Sequence, residues 1–401
     1  MSQVDSLLFL CHRIPYPPNK GDKIRSFHIL KFLAERHRVL LGTFIDDPAD
    51  RAHLGTLREY CTDLHVVDIA PRRQRIASLR GLLTGEALSL PYYRDAGLAA
   101  WVAEVGRCAR PRVAFAYSSP MAQYLLGEDW QGVRRIVDFV DVDSEKWCAY
   151  AAMKPWPASA VYGREAARLL AFECAVADAF DACVFVSGEE ARLFERLRGG
   201  ASRKVYAVNN GVDLAYFAAG LGLPNPYPAG APVLVFTGAM DYWANVDAVQ
   251  WFVQEILPRI VRAVPTAQCW IVGTRPTPAV RDLARAPHVH VTGAVDDIRP
   301  YIAHATVSVA PMRVARGVQN KVLEAMAMGR PVVGTQAAFE GLDLDTHYRA
   351  LAADDAASFA ARCIALLGAP DASLGEMGRR YVAAHHDWNT NMQQLHALMA
   401  G

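Results

Sequence analysis

Residues 307–334 read VSVA PMRVARGVQN KVLEAMAMGR PVVG, and this stretch decides the fold. Val307 to Ala310 is a short run carrying two valines and ending at Pro311, as a buried strand would be. A loop carrying Arg313, Arg316 and Gly317 follows, and a helix then runs through Asn320, Lys321, Glu324, Ala325 and Met328. Gly329 suits the helix C-terminus, and Pro331 opens the next strand. In a strand–loop–helix unit of this kind, the helix N-terminus lies at the carboxyl edge of the sheet, where its free amides and positive dipole end receive an anion. Arg316 and Lys321 add full charges beside that point, and a nucleoside diphosphate is the anion that suits it best. The same side chains also fit a solvated surface, with Lys321 pairing Glu324 one turn on.

The alternation continues outward from this unit in both directions. Earlier in the chain, strands are expected at Leu7 to Cys11, Arg38 to Phe44, Leu64 to Ile69, Val113 to Tyr117, Arg135 to Phe139 and Ala182 to Val186, with a helix between each. Nearer to it they are expected at Pro232 to Thr237, Gln268 to Val272, Val289 to Thr292 and Val307 to Ala310, and then Pro331 to Gly334. The fold class is therefore α/β with two wound units. Between them, residues 219–232 crowd Gly220, Gly222, Pro224, Pro226, Pro228 and Gly230 together, where neither helix nor ladder persists. The expected domains are 1–218 and 233–384, with 219–232 as linker.

Composition narrows the function classes. At 401 residues the chain holds two or three domains of about 150 residues each. Its 42 basic and 41 acidic residues leave a net charge of +1, which excludes a general nucleic-acid binder. Eight cysteines occur singly with no Cys-x-x-Cys pair, the usage of a reducing, cytoplasmic compartment. The apolar run Leu7 to Cys11 is too short for a leader, and no run reaches the roughly 20 apolar residues of a membrane span. The expected location is the cytoplasm, or the cytoplasmic face of a membrane. His288 with His290, and His385 with His386, lack companions at zinc spacing, so no metal site is expected. Nucleophile elbow, phosphate loop and first-strand dinucleotide fingerprint are all missing, which removes the main support for hydrolase, NTPase and dehydrogenase readings.

From Gly317 to Val333 the sequence resembles the donor-binding motif of family-four retaining glycosyltransferases, which have the GT-B fold of two facing Rossmann-like domains. Further matches follow in order: Asn210-Gly211-Val212-Asp213, Phe236-Thr237-Gly238, Ile271-Val272-Gly273, and Val291-Thr292-Gly293 with Asp297. Within that family the chain is most similar to sugar transferases of bacterial exopolysaccharide loci, through the segment from Asp138 to Trp147, through Met240-Asp241-Tyr242-Trp243 and through Ala315-Arg316-Gly317. The resemblance implies a UDP- or GDP-sugar donor, no separate cofactor, a saccharide or lipid-linked saccharide acceptor, and a C-terminal segment, 385–401, that packs back on the first domain.

Carried onto this chain, the resemblance gives Glu324 the donor ribose and Gly317 and Val318 the approach to sugar and phosphate. It makes Gly273 and the stretch from Gly293 to Asp297 walls of the base pocket. Gly238, Arg313, Gln319 and Asn320 complete the donor set. Taken singly, Gly273 and Gly293 also suit plain tight turns. Arg316 stands where the family usually has the first of two glutamates, and the loop after Gly238 lacks the family's basic residues. Arg316 and Lys321 are then expected to neutralise the diphosphate.

The acceptor side falls to the first unit, where the proline-stiffened segment from Cys11 to Ser26 supplies Gly21, Asp22 and Arg25. Asp22 also suits a helix N-cap. Asp141, after the strand ending at Phe139, is expected to orient the sugar or stabilise charge; it equally suits a turn. Residues 72–83 mix Arg72, Arg73, Arg75 and Arg80 with apolar residues at helical spacing, suited either to an anionic membrane surface or to ordinary packing. Two other function classes are kept: a nucleotide-sugar-binding scaffold that has lost catalysis, and a nucleotide-sugar epimerase.

Overall fold

The short β-branched and aromatic runs form parallel strands in a computed structural model that describes residues 5–18, 21–315 and 317–400. The chain divides into two units, Met1–Asn209 with Asn389–Gly401, and Asn210–Trp388. In the first unit the strands are β1 (Ser6–Cys11), β2 (Arg38–Ile45), β3 (Asp63–Asp68), β4 (Val113–Tyr117), β5 (Arg134–Val140), β6 (Ala182–Phe185) and β7 (Val205–Ala207). Their order is β3-β2-β1-β4-β5-β6-β7, and every pairing is parallel. Residues Leu7 to Cys11 of β1 and Ala114 to Tyr117 of β4 are fully buried, which is why these strands read as continuous apolar runs rather than alternating ones.

Two local features depart from expectation. The edge strand β7 is only three residues long, too short to show as a run. Between β4 and β5 the chain makes only short 3-10 turns, Ser119–Leu125 and Glu128–Trp130, because Pro120 and Gly127 interrupt any longer helix.

The second unit contains β8 (Val233–Thr237), β9 (Gln268–Val272), β10 (Val289–Gly293), β11 (Val307–Ala310) and β12 (Val332–Gly334). They lie in the order β10-β9-β8-β11-β12, again all parallel. The chain first winds outward from β8 to β10 and then returns across the sheet to β11. The crevice between the carboxyl ends of β8 and β11 is thus the topological switch point, where open α/β sheets place their ligands. In the first unit the corresponding point lies between β1 and β4.

The units divide at Asn209/Asn210, ahead of the proline- and glycine-rich stretch at 219–232. Val212 explains why: its amide donates to His386 O at 2.7 Å and it bridges Asp387, so this segment is stitched into the second unit. The last helix, Trp388–Ala400, belongs to the first unit from Asn389 onward. Asn391 Nδ2 donates to Asn209 O at 3.1 Å, and Arg134 Nε donates to Leu398 O at 2.6 Å. Among the described residues no helix is long and apolar enough to cross a membrane.

The carboxyl ends of β8 and β9 touch through glycine. A Cβ on Gly273 would lie 1.6 Å from Gly238 O, far inside contact distance, and the Gly273 amide donates to Gly293 O at 3.3 Å. Gly273→Ala therefore forces two strand ends apart and is expected to lower stability by about 2 kcal/mol or more. Gly293→Ala meets no atom within 4 Å and carries only the backbone cost of φ +73, about 1 kcal/mol. Thermal melts of the two variants check this ranking.

Candidate functional site

At the switch point of the second unit, β8 runs into the loop from Gly238 to Tyr242 and then the helix Trp243–Trp251. Beside it, β11 runs through Pro311 to Gln319 into the helix Asn320–Ala327. Val322, Leu323, Ala325 and Met326 bury one face of that helix, which leaves Lys321 and Glu324 on its other side. Gln319 stands at the N-cap with extended backbone, yet its side chain gives no capping bond; Nε2 donates instead to Gly317 O at 3.0 Å. The first helical amides are left without a side-chain cap, as an anion site requires.

Lys321 is half-buried, and its amine is enclosed by polar and aromatic groups rather than carboxylates. Nζ donates to Asn245 Oδ1 at 2.5 Å, lies 3.7 Å from Met312 Sδ, and sits 4.1 Å from the centre of the Phe236 ring. It does not form a salt bridge with Glu324, so the solvated surface pair is not what the fold builds. Burial pulls the Lys321 amine down to about 7, with Glu324 partly opposing. Burial likewise pushes the Glu324 carboxyl up to about 7, with Lys321 partly opposing. Gly238 keeps this place open: its added Cβ would lie 2.8 Å from Asn245 Nδ2 and 3.4 Å from Lys321 Nζ.

Asn245 and Arg275 belong to this neighbourhood and were not singled out from sequence. Asn245 is buried, and its Nδ2 donates to Ala239 O at 2.9 Å, which aims its carbonyl at Lys321. Arg275 follows β9 and pairs with Asp241 at 3.1 Å, so the loop after Gly238 has a cation beside it after all. Met240 N to Thr274 O at 2.8 Å and Thr277 N to Met240 O at 3.3 Å zip the two loops together. A guanidinium directly after a glycine-ended strand was the available signal for Arg275; nothing in the sequence marked Asn245.

The remaining expected donor residues divide. Gly317, Val318, Gln319 and Asn320 lie together at the helix entry, Gly317 with φ +66 and Val318 packed on the core. Arg313 is instead engaged by Asp247, Nε to Oδ2 at 3.0 Å, and lies over Trp251. Asp297 is likewise engaged by Arg299, whose Nη2 reaches it at 2.7 Å and whose guanidinium stacks on Tyr216 at 3.8 Å. Each of these two side chains thus holds an ion pair of its own within the second unit. Arg316 lies outside the described residues.

The first unit carries the expected acceptor-side residues and Asp141. Asp22 sits inside the first turn of the helix Gly21–Ala34 rather than at its N-cap. Arg13 Nη1 reaches it at 2.5 Å and His12 Nε2 at 3.5 Å, while Arg13 also pairs with Asp46 at 2.9 Å. Burial alone would raise the Asp22 carboxyl, but His12 and Arg13 more than offset it and hold the group well below the usual carboxylate range. A Cβ on Gly21 would meet no atom within 4 Å. Arg25, expected on the acceptor side, is 1% exposed and pairs with fully buried Asp138 at 2.7 Å. It also donates to Val208 O at 2.9 Å, so it braces the β5 end from inside. Asp141 pairs with Lys146 at 2.8 Å, and Asp143 holds the same amine at 2.9 Å.

The comparisons with known proteins bear on the fold. Residues 231–369 match the family described as glycosyl transferases group 1. The whole chain is similar to Anabaena HepE solved with UDP and glucose, at 15% identity over 99% of both chains with a TM-score of 0.64. It is similar to a Rickettsia africae glycosyltransferase at 13% identity, covering 98% of this chain and 97% of that one, TM-score 0.64. It is also similar to WaaG, a glycosyltransferase involved in lipopolysaccharide biosynthesis, at 15% identity over 98% of this chain and 100% of that one, TM-score 0.63. No curated protein sequence matches the chain. The fold is GT-B, and the family match lies within its second unit.

An enclosed ammonium with no carboxylate partner costs stability. The folded Lys321 has its pKa lowered, so its penalty is complete below about 7 and fades as pH rises toward the unfolded value. Lys321→Met is expected to melt at a higher temperature than the unsubstituted chain at pH 6, by an amount on the order of 1 kcal/mol. The gap should close toward pH 10; equal melting points at pH 6 would contradict it.

Proposed function

We propose that the chain is a retaining glycosyltransferase, moving a sugar from a nucleoside diphosphate donor to a hydroxyl on a saccharide or lipid-linked saccharide in cell-surface or exopolysaccharide synthesis. The observation that carries this reading is the Lys321 amine, held at an uncapped helix N-terminus on the switch point, bonded to a neutral amide and, among the described residues, in no salt bridge. An incoming diphosphate supplies a counter-charge. The group 1 domain match over 231–369 supports the transferase class, and bound UDP in the similar HepE structure supports a uridine donor.

In this reading the second unit binds the donor. Lys321, Arg275 and the amides of Asn320 and Lys321 meet the diphosphate, and Glu324 accepts from the ribose hydroxyls. Departure of the nucleoside diphosphate concentrates negative charge on the β-phosphate. Charge-assisted hydrogen bonds are worth roughly 1.5–3 kcal/mol each, so three that tighten in the transition state supply about 5–9 kcal/mol, of the order of a million-fold in rate. The acceptor oxygen bonds to the anomeric carbon as the bond to the phosphate oxygen breaks, and the acceptor proton passes to that departing oxygen on the same face. Asp22, in the first unit, serves the acceptor, and Asp141 orients the sugar or stabilises charge without needing to act as a base.

Lys321→Ala is expected to lower turnover roughly a hundred- to a thousand-fold with a purified donor and acceptor. Glu324→Ala should chiefly weaken donor binding, and calorimetry giving an unaltered affinity would remove Glu324 from the ribose site. Because only the charged amine grips phosphate and its value lies near 7, UDP affinity should fall about tenfold from pH 6 to pH 8. Titration calorimetry at both pH values reads this directly, and Lys321→Arg should flatten the dependence.

A further inference from the structure

Residues 69–85 contain four arginines and no acidic residue, and residues 146–164 likewise contain no acidic residue. The structure joins these two segments. The first folds into the short helices Pro71–Ser78 and Arg80–Thr84, broken at Leu79. The second is the turn between the helices Asp143–Met153 and Ala158–Ala179. Arg164 donates to Gly81 O at 2.6 Å and to Glu86 O at 3.1 Å, while Glu165 accepts from the Ser89 amide at 2.9 Å.

Ordinary packing would have turned the apolar side chains of both segments inward. They are turned outward instead: Ile76 is 71% exposed, Leu83 91%, Met153 62% and Trp156 82%. Arg72, Arg73, Arg75, Arg80 and Lys154 stand exposed among them. Single exposed apolar residues are unremarkable, but a cluster of large ones marks an interaction surface. Its surround is mainly cationic, with Glu86 at the edge already paired to Arg94 at 3.1 Å, and this selects the partner, since a protein interface rim carries both signs whereas an anionic bilayer presents one.

We propose that this composite surface of the first unit docks on an anionic lipid bilayer, with Leu83, Ile76 and Trp156 entering the headgroup boundary and the arginines held at the lipid phosphates. The break at Leu79 lets the two short helices lie flat on one surface, as an interfacial segment does. Docking is separate from the donor site, since no residue of either segment belongs to the second unit.

Flotation of the full chain with phosphatidylcholine vesicles and with vesicles also carrying phosphatidylglycerol tests this. Binding is expected only to the anionic vesicles and should weaken as salt rises. Replacing Arg72, Arg73, Arg75 and Arg80 with Gln should reduce partitioning at least a hundredfold. Leu83→Gln with Trp156→Gln should abolish it and remove the Trp fluorescence quenching by brominated lipid. UDP affinity should be unaltered in both variants, which separates a failure here from a failure of the donor assignment. The proposal is overturned if the chain ignores anionic vesicles at low salt, or if both variants still bind. It is also overturned if the chain is a dimer that Leu83→Gln with Trp156→Gln turns into monomers, which would make the patch a protein interface.

Discussion

One amine enclosed with no carboxylate bonded to it among the described residues is the constraint on which the rest depends. Lys321 is tethered by a neutral amide and an aromatic face, each of which steers the amine without cancelling its charge. Had a carboxylate replaced Asn245, the pair would be more stable and closed to anions. The actual arrangement leaves charge unsatisfied in the absence of a ligand, as catalytic sites that trade stability for function do. Glu324 one turn away is pushed in the opposite sense by the same burial, so the two groups approach a common value near 7 from either side. A donor whose phosphate meets one and whose ribose meets the other restores charge to both.

The scaffold places this group through topology more than through local sequence. Two parallel sheets share the opening order in which a first strand is flanked on one side by the second and third and on the other by the fourth and fifth. Each reversal opens a crevice at the carboxyl edge. In the second unit β8 and β9 each run into a glycine, and only the absence of two Cβ atoms lets Gly238 lie beside both Gly273 and Lys321. Loops from three strands then meet over a few ångströms. In the first unit the analogous edge is held by ion pairs, Arg13 with Asp22 and Asp46, and Arg25 with Asp138.

Strands were legible in the sequence because buried parallel strands are unbroken apolar runs; β4, β9 and β11 begin and end where their composition says. The helix entry at Gly317 to Lys321 was legible for a similar local reason. Side-chain partners were not, because they come from distant positions. Arg25 sat three residues after Asp22 and looked like its companion, yet its own partner is Asp138, from another strand. Nothing local marks Asp247 as the partner of Arg313, which lies 66 positions away. Asn245 carries no charge and no motif, and only the fold brings it to Lys321.

A crystal structure of the chain soaked with UDP tests the central claim most directly. The account requires the β-phosphate within hydrogen-bonding distance of Lys321 Nζ and of the amides that open the Asn320–Ala327 helix, with the ribose against Glu324. Diphosphate bound elsewhere, or Lys321 still tied only to Asn245 beside an empty crevice, would contradict it.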